Sequence, residues 1–188
     1  MMPEKSWFKR YADTAAKLRV PCGFVLVATF ALLSKPAAEA LAKGLPVSLA
    51  GLALRAWASG HLEKNRQLTT SGPYAFIRNP LYIGTLLVAF GLVIASDRWL
   101  LAAVFAAVFL LVYLPVIELE EQHLRTLFPE FRAYAERVPA LFPALRPARS
   151  GRAFRWSLYR YNREYEALVG FVAGVIFLLG KMLLIPGS

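Results

Sequence analysis

The stretch Ser71–Gly84, SGPYAFIRNPLYIG, sits where a polar segment gives way to an uncharged apolar run that continues to Ala95. Gly72-Pro73 marks a tight turn, and Asn79-Pro80 is a helix start, because Asn favours the N-cap and Pro the first helical position. Asn79 is therefore expected to cap a helix whose body, Leu81 to Ala95, suits lipid. Tyr82 near its foot is expected at headgroup depth, with Arg78 as a snorkelling anchor.

Further apolar runs occur at Leu18 to Leu33, Leu45 to Ala58, Trp99 to Ile117 and Leu168 to Ile185. With 57% hydrophobic and 18% charged residues, the chain carries less charge than a soluble domain of its size. The fold class expected is all-α, an integral membrane helical bundle of about five transmembrane helices with short interfacial helices. Several runs fall short of the roughly 20 residues that span a bilayer, so flanking residues must complete them. The first run is followed by no A-x-A-like cleavage site and reads as a membrane helix, not a signal peptide. Cys22 is the single cysteine, which excludes an internal disulfide and a thiolate metal cluster.

Seventeen of the 22 Lys and Arg residues fall in segments 1–19, 60–80 and 118–165. Five spans with a cytoplasmic N-terminus put all three on the inner side, as the positive-inside rule requires, and the C-terminus on the opposite side. The expected location is a bacterial inner membrane. The net charge of +10 then reflects topology and attraction to anionic headgroups, and nucleic acid is not an expected partner. Two regions are distinguished: a core, 1–149, whose motifs lie in 59–143, and an extension, 150–188, made of a basic, aromatic connector and the last span. Gly170 and Gly174 in that span have the small-xxx-small spacing of a homodimer contact.

The first two spans form a hairpin through Ser34 to Pro46, with Pro36, Gly44 and Pro46 as breaks. The third and fourth are joined by Ser96-Asp97-Arg98 alone, so they are antiparallel and return to one membrane face. That return brings the 60–80 linker towards Glu118–Arg137. No helix breaker lies between Pro115 and Pro129, so Glu118, Glu120 and Glu121 emerge on a continuing helix, Glu118 and Glu121 on one face. After Pro129, the stripe Phe131, Tyr134 and Val138 suits an interfacial helix. His61 and His123 lack ligand spacing with these acids and no D-x-D occurs, so no metal site is expected.

The segments TTSGPYAFIRNPLYIG and ELEEQHLRTLFPEFRAYAERVPALFP resemble the membrane-embedded methyltransferases that include isoprenylcysteine carboxyl methyltransferases and phospholipid N-methyltransferases. Their pattern is G-x-Y-x-x-x-R-H-P-x-Y-x-G, a hairpin, E-E-x-x-L, F-G-x-x-Y-x-x-Y and V-P-x-x-x-P, and it covers Ser59 to Pro143. The resemblance implies S-adenosylmethionine as cofactor and a membrane-borne, lipophilic acceptor. It places Gln67, Leu68, Thr69, Tyr74, Asn79, Pro80, Leu81, Tyr82 and Glu120 at the cofactor. A helix N-terminus suits the methionyl carboxylate and an acid suits the ammonium or ribose hydroxyls. Asn79 replaces the family His, Phe128-Pro129 replaces F-G, and Val116 stands where the prenylcysteine enzymes have Arg.

Methyl transfer from a sulfonium is an in-line displacement, for which alignment and exclusion of water matter most. An amine acceptor must first lose a proton, and Glu121 or Glu118 is the expected base, with Arg78 beside them. The alternative is a catalytically silent membrane-binding or scaffold protein that keeps the fold. A transporter is disfavoured because the spans show no internal repeat.

Overall fold

The computed structural model describes residues 4–144 and 151–184, with side chains from Trp7 onward. Among these residues the chain is helical and holds no strand. In chain order the helices are α1 (Glu4–Leu33), α2 (Ala38–Ser59), α3 (Pro80–Ala95), α4 (Trp99–Leu127), α5 (Phe131–Ala135), α6 (Trp156–Tyr161) and α7 (Tyr165–Leu184). Trp7–Leu33, Trp99–Leu127 and Tyr165–Leu184 are long and apolar enough to cross a membrane, and Pro80–Ala95 is a shorter apolar helix. With α2 they make the helical membrane bundle that composition implied. Large apolar side chains on α1 and α7 face outward, among them Phe24, Val27, Val169 and Ile176, as lipid requires.

The first hairpin differs from expectation. Gly44 and Pro46 lie inside α2, and only 34–37 breaks the helix. Gly44 is a packing residue: a Cβ there would collide with the backbone of Gly91 in α3. One turn pair further on, a Cβ at Gly51 would stand 2.6 Å from the Gly84 carbonyl. Between them Ser48 Oγ donates to Val88 O at 2.9 Å. Small residues thus let α2 and α3 touch backbone to backbone, which is how helices gain contact in a solvent as apolar as their side chains.

In α4 the helix widens to a π-type turn at Phe109–Tyr113, just before Pro115. Pro115 has no N–H to offer the Leu111 carbonyl four residues back. Tyr11 of α1 supplies the missing donor, its hydroxyl 2.6 Å from Leu111 O. Beside it Ala15 packs on Val112 and Val116. At the opposite end of the bundle Lys35 N–H donates to Ser96 O (2.8 Å), and Lys181 Nζ donates to the carbonyls of Ala31 (2.8 Å) and Leu32 (3.2 Å).

The stripe Phe131, Tyr134 and Val138 is buried against Leu68, with Leu124 and Phe128 beside it, not laid on a membrane surface. It fastens the segment after α4 to the linker before α3. Of the basic connector, 151–164 is described and contains α6; its first residues, 146–150, lie outside the described residues.

Candidate functional site

At the foot of α3 the 60–80 linker and the 118–144 region are stitched together. Arg78 N–H donates to Pro139 O (2.9 Å), Ala144 N–H to Phe76 O (2.8 Å) and Tyr134 Oη to Tyr74 O (2.8 Å). The Arg78 guanidinium grips Glu121 with both arms, Nε to Oε1 at 3.0 Å and Nη2 to Oε2 at 2.9 Å. Its Nη1 reaches the carbonyls of Ala135 (2.8 Å) and Val138 (3.2 Å). A planar fork on a carboxylate is the geometry that Arg provides and Lys does not.

Asn79 departs from its expected role. Its side chain makes no capping bond to α3; Nδ2 donates to Glu121 Oε1 (3.0 Å) and to Ala140 O (3.2 Å). Aiming Nδ2 at the buried Glu121 carboxylate, a strong charged acceptor, turns the side chain away from the helix end, whose free N–H groups would need its Oδ1. The helix still starts here: the Asn79 carbonyl receives the N–H groups of Tyr82 and Ile83.

These contacts enclose a cavity of about 670 Å³, within the range of small-molecule sites. One wall is Gln67, Leu68, Thr69 and Tyr74; the foot of α3 contributes Asn79, Leu81, Tyr82 and Thr85. Facing them stand Tyr113, Glu120, Glu121 and Leu124 of α4, with Phe128, Phe131 and Tyr134. Eight of the nine residues expected at the cofactor line this one space. The ninth, Pro80, is buried beneath it at the helix start.

The three groups expected near the reacting atoms separate. Arg78 and Glu121 line the cavity but bind each other. Glu121 also has Arg125 Nη2 at 3.6 Å, so its lone pairs face donors on every side. Glu118 does not line the cavity; its Oε1 accepts from Gln122 Nε2 at 3.1 Å. Glu120 does line it, half exposed, with Arg19 loosely at 3.9 Å and the Tyr82 phenol beside it.

Among the lining residues that were not picked out from sequence are Arg19 and Gly23 of α1, Tyr113 of α4 and Arg55 of α2. Arg55 carried the one available signal, an ionisable residue within a span. It donates from Nε to Glu164 Oε1 (2.6 Å), from Nη2 to Glu164 Oε2 (3.1 Å) and from Nη1 to Thr85 Oγ1 (2.5 Å). Glu164 is supplied by the extension just ahead of α7.

Burial dominates the titration of the linker. It pushes the phenols of Tyr74 and Tyr134 above their usual range, with Arg78 opposing the shift at Tyr134. It pushes the His61 imidazole below its usual value. His61 Nδ1 pairs with Ser71 Oγ at 3.0 Å, and the ring fills the place a side chain at residue 72 would need. Gly72 also has φ +59°, so only glycine fits both demands. Among the described residues no three His, Cys, Asp or Glu side chains gather as metal ligands.

Residues 47–130 match the family model described as phospholipid methyltransferase. The family resemblance drawn from the two motifs therefore holds over a segment that includes Arg55, the linker, the hairpin and Glu120-Glu121. The cobalt-zinc-cadmium resistance protein CzcN of Cupriavidus metallidurans is 38% identical over 130 residues, 68% of this chain and 60% of that protein. The nickel-cobalt-cadmium resistance protein NccN of Alcaligenes xylosoxydans xylosoxydans is 35% identical over 124 residues, 65% of this chain and 58% of that protein. The chain thus spans about three fifths of the length of these curated relatives. No solved structure matches it.

Proposed function

We propose that this cavity binds S-adenosylmethionine and that the protein is a methyltransferase acting on a lipophilic acceptor in the membrane. The observation that carries this reading is the convergence of the two motif segments on a single space, with one carboxylate, Glu120, half exposed towards it beside Tyr82 and only loosely paired with Arg19. The donor set fits the cofactor. Glu120 suits an ammonium or ribose hydroxyls, the foot of α3 offers N–H groups to a carboxylate, and Tyr82, Tyr113 and Phe128 give flat apolar surface for a base or a cation.

When bound, the cofactor would supply an electrophilic methyl group. The chain's own residues then have three tasks. Glu120 and the linker residues Gln67, Leu68, Thr69 and Tyr74 hold; Arg78, Asn79 and Glu121 fix the wall between linker and hairpin; α1 and α4 keep water out and leave an approach from lipid past Gly23 and Tyr113. Arg78 and Glu121 are in this reading positioning residues. A carboxylate or thiolate acceptor needs no base, which suits a site whose best-buried acid is already paired.

The acceptor class covers phospholipid amines and isoprenylcysteine-type carboxylates. The charge bias supports a reading in which the N-terminus and cavity lie on the cytoplasmic side of a bacterial inner membrane and the C-terminus opposite. Gly170 and Gly174 have open space around them and remain available to a second copy. The names of the two relatives favour one other reading, a catalytically silent membrane protein acting in metal resistance. Calorimetric titration of the detergent-solubilised chain with S-adenosylhomocysteine separates the two. Binding that Glu120→Ala weakens supports the enzyme, and no heat at millimolar ligand overturns it.

A further inference from the structure

The family match stops at residue 130, so the extension lies outside it. Yet 151–164 lands on the cavity's linker wall at every turn. Arg155 pairs with Glu63, and its N–H donates to Gly60 O at 2.9 Å. Arg152 Nη1 stands 2.5 Å from Gln67 Oε1 and 3.5 Å from Glu63 Oε1. Asn162 Nδ2 holds the carbonyls of Ser59 (2.9 Å) and Leu62 (3.0 Å). The linker answers with Arg66, whose guanidinium lies 5.8 Å from the centre of the Tyr161 ring.

The Arg152 contact has a chemical consequence. An arginine side chain only donates, so the Gln67 atom facing it must be the amide oxygen. The Gln67 amide nitrogen, with its two N–H groups, is then what this cavity residue has left to present to a ligand. We propose that Arg152 and Arg155 are positioning residues of the cavity: they clamp the 61–69 loop from outside the family segment and fix Gln67 as a hydrogen-bond donor. The ligand group met there is an acceptor, such as a ring nitrogen, hydroxyl or carboxylate oxygen. This rests on the cofactor reading above for the identity of the ligand, but not for the clamp.

Two measurements on the full chain in detergent test it. The first is backbone hydrogen exchange over 61–69 without ligand, and the second is titration with S-adenosylhomocysteine. Both arginines are about half exposed, so their replacement leaves the bundle folded. Arg152→Ala/Arg155→Ala is expected to speed loop exchange and to weaken binding about fivefold, with Arg152→Lys/Arg155→Lys restoring most of both. Gln67→Glu keeps an oxygen for Arg152 but has no N–H groups; it is expected to preserve loop protection and to weaken binding about tenfold. Unchanged loop exchange in the double alanine variant overturns the clamp. Parental affinity of Gln67→Glu overturns the donor assignment. If the parent itself binds no ligand at millimolar concentration, the cofactor reading falls and the donor assignment with it, while the exchange data still decide the clamp.

Discussion

Glu121→Ala is the substitution whose effect the site geometry constrains most tightly. The side chain is 4% exposed and its partner Arg78 is 14% exposed. Three donors lie within 3.0 Å of its oxygens, two from Arg78 and one from Asn79. Removing one partner of a buried pair costs about 3–5 kcal/mol, because the other charge stays buried and uncompensated. Arg78 keeps the Ala135 and Val138 carbonyls, which sets the loss near the lower bound, about 3 kcal/mol. For a chain of this size that corresponds to a fall in melting temperature of roughly 6–12 °C. The assay is thermal unfolding in detergent, with Glu118→Ala as control; Glu118 has only the exposed Gln122 partner, so it should stay within about 0.5 kcal/mol of the parent. A double variant, Arg78→Leu/Glu121→Leu, should recover part of the loss, since it removes both charges together. A Glu121→Ala protein that melts with the parent would refute the reasoning and return Glu121 to the list of free bases.

Tyr11→Phe removes the donor that satisfies the Leu111 carbonyl and should cost about 1–2 kcal/mol in the same melt; in a Pro115→Ala background, where an amide is restored, the cost should shrink. Gly51→Leu drives a side chain into Gly84 and should destabilise by about 2 kcal/mol or more. Gly174→Leu, with open space around it, should leave the melt of the monomer unchanged, and a change in sedimentation would report the dimer contact. Burial disfavours the charged form of His61, so its folded pKa lies below the usual histidine value of about 6.5. Its contribution to stability is therefore full above about pH 6.5 and is lost as the pH falls towards the folded pKa, where the unfolded chain gains a proton first. His61→Gln should flatten the pH dependence of the melt below about pH 6.5; an unchanged slope would show that the ring is not perturbed by folding.

Period and punctuation carried most of the fold. The runs after Pro80 and after Arg98 start where the helices start, because in lipid an uncharged run can only be helix. The errors were local and had a common cause. Gly44 and Pro46 read as breakers because propensity is judged one chain at a time, whereas the need for a close approach at Gly44 comes from Gly91. Asn79 read as a cap because Glu121, the carboxylate that draws its Nδ2 and turns the side chain from the helix end, is 42 residues away. Similarly, the stripe Phe131, Tyr134 and Val138 has the period of a surface helix, and only the folded linker supplies Leu68 to cover it. In the cavity, the motif residues were legible because they recur at fixed spacing in one pattern. Arg55, Glu164, Arg152 and Arg19 come from three separate segments and have no such spacing; charge within or beside a span was the whole of their signal.

Transfer of labelled methyl from S-adenosylmethionine into total lipid, using membranes that contain the parent chain or its Glu120→Ala variant, is the most direct test of the central claim. Label extracted with lipid above background for the parent and at background for the variant is the result expected. Background label for a parent protein that is folded and binds S-adenosylhomocysteine would contradict methyl transfer to a lipophilic acceptor.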